Sequence, residues 1–195
     1  MSFILLGILN SQVEGGAGGP GDYELLESDI LTGSQSSVSF TDLTTKYAST
    51  YQHLQLRMVG RTDRASNGDS FILQFNSDTG TNYSGHTMRA EHTTLYQGGA
   101  GSQTYIELGY SEAANNTANS FAYCIAEIYN PFFTSQTTTV TAASGFNSSI
   151  GRTLQNQGRW NSASQVTTIT ISPLYGTNFV QYSRFGLYGY RSVAV

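Results

Sequence analysis

Charge is the scarcest resource of this sequence. Only 11% of the 195 residues are Asp, Glu, Lys or Arg, against roughly 25% in an average soluble domain. The polar surface must therefore be built from Ser, Thr, Asn, Gln and Gly, and it carries little long-range field. The nine Lys and Arg are scattered and the net charge is −4. Without a basic patch to displace counterions, nucleic acid is excluded as a partner, and nothing marks an anionic lipid surface. The single cysteine, Cys124, rules out an internal disulfide. It lies in an apolar run and reads as a small buried hydrophobe rather than a nucleophile. No helical periodicity of useful length, coiled-coil heptad or internal repeat occurs, and no composition shift announces a second domain beyond the start of the chain.

The ingredients of catalysis are equally thin. The three histidines, His53, His86 and His92, stand in no HExxH or similar spacing, and one cysteine does not build a zinc site. No Gly-x-Ser-x-Gly elbow is present. The glycine run at 15–19 lacks the Lys-Ser/Thr of a phosphate loop, so no cofactor is expected. Glycoside hydrolysis needs two carboxylates about 5–10 Å apart in a cleft. Of Asp63, Asp69, Asp78, Glu91, Glu107 and Glu127, most fall in turn-like segments, where Asp bonds its own backbone. Glu127 differs. It shares a strand face with Ile125 and Tyr129 in the longest apolar run, so burial would demand a partner such as Arg57 or Arg61. The expectation is a protein without enzymatic activity.

What the chain does have is β pattern. Leu54, Leu56 and Met58 alternate with His53, Gln55 and Arg57, and Phe71, Leu73 and Phe75 repeat the pattern. Strands are predicted at 23–31, 38–40, 53–59, 71–75, 87–91, 104–108, 121–129, 137–142, 166–171 and around 185–189. Segment 33–37 reads as a hairpin connection. Asn67-Gly68 is the best short hairpin signal, since both residues tolerate the positive φ of a type I′ turn. The run 121–129, ended by Pro131, is predicted to be a central strand buried on both faces. Some eight to ten strands with turns between them imply an antiparallel two-sheet sandwich or a barrel.

Two features point outward. Arg57, Arg61, Asp63 and Arg64 form the densest charge in a charge-poor chain, either pairing among themselves or contacting a neighbour through bidentate Arg–carboxylate bonds. The 13 Tyr exceed what a core with few polar partners needs, and Tyr175, Tyr182, Tyr188 and Tyr190 are interface candidates. At the start, residues 3–9 are apolar, lack a basic n-region and fall far short of the roughly 20 residues that span a bilayer; no membrane insertion is expected. The glycine-rich stretch after them is a flexible spacer by composition. The chain thus divides into an apolar arm and tether at 1–21 and one β domain at 22–195. Phe3, Ile4, Leu5, Leu6, Ile8 and Leu9 are expected either to fold back as a first strand or to dock on a neighbouring subunit, by strand addition or in an apolar groove.

Tyr51-Gln-His-Leu-Gln-Leu-Arg-Met-Val-Gly-Arg-Thr-Asp-Arg64, Phe75-Asn-Ser-Asp-Thr-Gly-Thr-Asn-Tyr83 and Ser183-Arg-Phe-Gly-Leu-Tyr-Gly189 resemble segments of small virion proteins of phages of cyanobacteria and other aquatic bacteria. The likeness runs from about residue 23 to 190 and includes Trp160 and the Thr-Ile-Thr-Ile strand before Pro173; the arm is not part of it. It implies a jelly-roll-like fold and a structural role in the virion, assembled in the host cytoplasm. Such proteins serve as capsid decoration (cement) proteins or as tail fibre and baseplate modules, commonly as homotrimers. Their partners would be other virion proteins, the major capsid protein or a tail or baseplate protein, and for a fibre module a host-surface glycan. The resemblance does not decide between capsid and tail. The first reading is a decoration protein whose arm reaches onto neighbouring subunits, the alternative a fibre or baseplate module whose arm plugs it into the tail, and a polysaccharide-degrading enzyme is a distant third.

Overall fold

The computed structural model describes residues 23–146 and 151–191; the arm at 3–9 lies outside them. Twelve strands and one helical turn follow in the order β1 (Tyr23–Ile30), β2 (Val38–Phe40), α1 (Leu43–Tyr47), β3 (His53–Gly60), β4 (Gly68–Phe75), β5 (Tyr83–Glu91), β6 (Thr94–Gln103), β7 (Ile106–Glu112), β8 (Ala122–Tyr129), β9 (Thr138–Phe146), β10 (Arg152–Trp160), β11 (Ile169–Pro173) and β12 (Arg184–Tyr190). They form an eight-stranded sheet, β1-β12-β3-β8-β9-β10-β5-β6, and a four-stranded sheet, β2-β11-β4-β7. The strand pairs within both sheets are antiparallel. The molecule is an all-β sandwich.

Period-2 alternation makes the core. Leu54, Leu56 and Met58 on β3, Cys124, Ala126 and Ile128 on β8, and Phe185 and Leu187 on β12 point inward from the large sheet. They meet Phe71, Leu73 and Phe75 on β4, Ile169 and Ile171 on β11, and Val38 and Phe40 on β2. Each of the Leu, Ile, Val, Met and Phe side chains, once fully buried, contributes about 1.5–3 kcal/mol. Phe71, Phe179 and Phe185 pack as an aromatic trio with centroids 4.9–6.5 Å apart, although Phe179 belongs to no strand. Gly60 ends β3 beneath this trio, where a Cβ would lie 2.6 Å from the Phe71 ring; only hydrogen fits.

Three sequence expectations fail here. Neither 33–37 nor 66–69 makes a hairpin, because β1 and β3 belong to the large sheet while β2 and β4 belong to the small one. Asn67 and Gly68 do not adopt positive φ. Two strands that each carry one apolar face bury more by facing each other across the core than by lying side by side, and that gain overrides local turn preference. The tight turn that does form joins β5 to β6 at His92, with φ of 50°. The third failure is the run 121–129. It is central in the sheet, but its sides alternate: Tyr123, Ile125 and Tyr129 are 52%, 38% and 36% exposed. Only one face of β8 meets the core.

A candidate protein-docking face

The pairing registers lay out the outer face of the large sheet row by row. One row runs Ile30, Arg184, Val59, Tyr123, Gly145, Thr153, Ala90 and Leu95 across all eight strands. The next contains Arg57, Ile125, Ala143, Gln155 and Met88. A third carries Leu25, Tyr188, Gln55, Glu127 and Thr141. Of the thirteen large hydrophobic residues exposed among the described residues, nine lie here: Tyr23, Leu25, Ile30, Val59, Met88, Leu95, Tyr123, Ile125 and Tyr129. A monomer normally scatters such residues singly; concentration on one face marks an interaction surface.

Within this face a polar-aromatic network is held rigid. Tyr23 and Tyr188 stack with centroids 5.2 Å apart. The Arg57 guanidinium sits 5.4 Å and 5.1 Å from the two ring centres, and its Nε donates to Gln55 Oε1 at 2.7 Å. The Tyr23 hydroxyl donates to the same oxygen, while Gln55 Nε2 donates to the Glu127 carboxylate. Glu127 therefore finds an amide and a chain of bonds leading to Arg57, not the direct ion pair expected of it. Beside it, His53 packs against Tyr129 and Tyr190, centroids 5.5 Å and 5.1 Å away, and its Nδ1 accepts a bond from the Asn130 N–H. Burial holds the His53 imidazole below its ordinary value, with Glu127 opposing. Burial and the neighbouring Glu127 push the Tyr190 phenol up. Tyrosines and an arginine, fixed in advance and ringed by aliphatics, are the usual anchors of a protein interface.

The sequence candidates separate. Arg57, Tyr188 and Tyr190 come together on this face. Arg61 turns inward. Its Nη1 donates to the carbonyls of Thr117 and Ser120 and its Nη2 to those of Ala114 and Asn116, at 2.7–3.1 Å, and it is buried. It pins the loop between β7 and β8 and has little left for a partner. Asp63 accepts from the Thr177 and Asn178 N–H groups and from Asn178 Nδ2, tying down the loop before β12. Arg64 lies over the Tyr175 ring at 4.2 Å and donates to the Gly68 carbonyl. The four charged residues thus make no ion pair among themselves. Tyr182 is exposed in a loop at φ of 72°, away from the sheet face. Phe3, Ile4, Leu5, Leu6, Ile8 and Leu9 lie outside the described residues.

Sequence reasoning missed Tyr23, Leu25, Ile30, Val59, Met88, Leu95, Tyr123 and Ile125 as surface residues. The signal was present in β8, whose apolar residues occupy both alternation phases. Cys124 is enclosed, and burial pushes its thiol up. Among the described residues no three His, Cys, Asp or Glu side chains gather as a metal site would require, and no helix is long and apolar enough to cross a membrane. No protein-family model matches the chain, and no curated protein matches it in sequence.

Proposed function

We propose that this chain is a non-catalytic structural protein of a phage virion, a decoration protein that docks on neighbouring subunits through the outer face of its large sheet and through its arm. The observation that carries the reading is the exposed side of β8. A strand in the middle of a sheet, with large apolar groups on both sides and only one side covered by the described residues, is suited to be covered by another protein.

The fold within this proposal is a jelly roll, and the strand order supports it. Leaving aside β5, β6, β9 and β10, the chain places β1, β12, β3 and β8 in one sheet and β2, β11, β4 and β7 in the other. Successive strands change sheets, apart from the one connection from β4 to β7, as in the eight-stranded double Greek key. The β5–β6 and β9–β10 hairpins are then insertions that widen the larger sheet. The resemblance of segments 51–64, 75–83 and 183–189 to small phage virion proteins supports the same reading. In a homotrimer, three arms engaging together would raise avidity without new contacts, and each bound copy would stabilise the shell by mass action.

A quantitative gel of purified particles, scaled to the major capsid protein, tests this. Near-stoichiometric copies support decoration. A few copies per particle move the protein to the tail or baseplate, and its absence from particles removes the virion reading. Aspartate at Ile4, Leu5 and Leu6 together should leave the domain folded and abolish attachment; full attachment of that variant excludes the arm.

A further inference from the structure

Half of the outer face is concave instead of flat. Across β8, β9, β10, β5 and β6 the sheet curls into a trough of about 830 Å³. Register sets Thr141, Gln157 and His86 side by side on adjacent strands, with Thr139 and Arg159 in the row beside them. Tyr129 closes one end of the lining. Gly99 completes the first row, and a Cβ there would lie 2.6 Å from the His86 ring, so this glycine is what lets the imidazole lie across β6. A smaller hollow of about 300 Å³ shares His86 and Gln157 with the trough and continues along β5 and β10 past Gln97 and Gln155.

We propose that this trough binds a neutral oligosaccharide. The side chains of Thr139, Thr141, Gln157, Arg159 and His86 have no hydrogen-bond or ionic partner among the described residues. They combine a planar amide, a guanidinium fork, an imidazole and two hydroxyls, donors and acceptors that match the vicinal hydroxyls of a sugar ring. Tyr129 offers a ring face with a polar tip, suited to the apolar C–H side of the same ring. A single arginine and no carboxylate line the trough. A polyanion would call for several cations. A peptide would call for several apolar anchors, and on this face most of those lie in the rows of Ile30 and Arg57, with Tyr129 the one exposed large hydrophobic residue in the trough. Two hollows in line accommodate more than one sugar unit, and the lack of paired carboxylates means the ligand is held without being cleaved. This inference does not rest on the docking role, which draws chiefly on the rows of Ile30 and Arg57; Tyr129 and Thr141 belong to both surfaces.

The test is an amide-shift titration of the full chain with maltopentaose, cellopentaose, mannopentaose and triacetylchitotriose, with sialyllactose as the anionic control. At least one neutral probe should shift the amides of Gly85, His86, Thr141 and Gln157, with Kd in the range of about 0.1–10 mM. Combining Gln157→Ala with Arg159→Ala should weaken that binding by about tenfold or more, while Ile125→Thr leaves it unchanged. Both trough residues are exposed, and an unchanged thermal midpoint shows that the variant is folded. The proposal is overturned if none of the four neutral probes shifts these amides at about 20 mM, if sialyllactose binds the trough more tightly than they do, or if the double variant binds like the parent.

Discussion

Threonine at Ile125 and threonine at Ile128 place one chemical change on opposite faces of the same strand. Ile128 is fully buried and pairs across the ladder with Leu54. Its replacement removes a methyl-sized volume from a packed core, costing about 0.5–1.5 kcal/mol by analogy with Ile→Val. It also buries a hydroxyl with no partner, adding about 1–3 kcal/mol. A total of about 2–4 kcal/mol is expected. At Ile125 the new hydroxyl stays in water and β-branching is kept, so the isolated domain should lose no more than about 0.5–1 kcal/mol. Urea unfolding followed by Trp160 fluorescence, at a concentration low enough for the chain to be monomeric, measures both. The slope with denaturant should be the same in both variants. When the partner or the other protomers are restored, the order reverses: Ile125→Thr should weaken association several-fold and Ile128→Thr should not, once refolded protein is compared. Equal costs in the monomer would mean that the outer face of β8 is already covered by its own chain. Undiminished association of Ile125→Thr would mean that no partner uses it. Either result refutes the docking argument.

Arg61→Lys keeps the charge but loses the fork that reaches four carbonyls. A loss of about 2–4 kcal/mol by urea unfolding is expected, together with faster proteolysis between residues 113 and 121; no change in either would show that the loop holds itself. Gly60→Ala drives a methyl into the Phe71 ring and should cost about 1–3 kcal/mol, read as a lower urea midpoint. The pH dependence should separate a histidine contribution from the carboxylate contributions at more acidic pH. His53 has a depressed folded-state pKa, so the stability it contributes is present above its ordinary value of 6.5 and is lost as pH falls through the folded value. His53→Gln should erase that contribution in a thermal-midpoint profile. Asp78, held below 3.8 by bonds from Trp160 and Asn82, contributes stability that is kept above that value and lost at more acidic pH, and His53→Gln should leave this acidic contribution in place.

Much of the sandwich was legible because the core strands obey a single rule. Leu54/Leu56/Met58, Phe71/Leu73/Phe75 and Phe185/Leu187 are apolar every second residue, and each lies in a strand facing the core. Strands that do not face a full core broke the rule. All of β6 is exposed apart from a half-buried Gln103, so nothing forces an apolar alternation on Thr94–Gln103. On β10 the inward positions include Asn156 and Gly158; a Cβ at Gly158 would lie 2.4 Å from Ile106, so the position that would have carried the pattern must be empty. Sheet membership was not legible either. Whether β3 pairs with β4 or faces it depends on what the remaining strands bury, and a local turn signal such as Asn67-Gly68 holds no information about that.

The docking face failed to appear for a different reason. Tyr123-Cys-Ile-Ala-Glu-Ile-Tyr129 has the same composition whether its second face is covered by its own chain or by another, and the described residues place no layer over it. The one segment able to change that is the arm. The 22 residues before Tyr23 reach at most about 80 Å when extended, while the eight-stranded sheet, at about 4.8 Å per strand spacing, is some 34 Å wide. The arm is therefore long enough to cross the face of its own sheet or to reach that of a neighbour, and length does not choose between them. Concentration does. An arm that folds back covers Tyr123 and Ile125 equally well at any dilution, so the cost of Ile125→Thr would be constant. An arm or face shared between subunits makes that cost rise with protein concentration, because association enters the stability of the folded state. The dilution series of the Ile125→Thr variant thus separates the two fates left open for residues 3–9 and locates what covers β8.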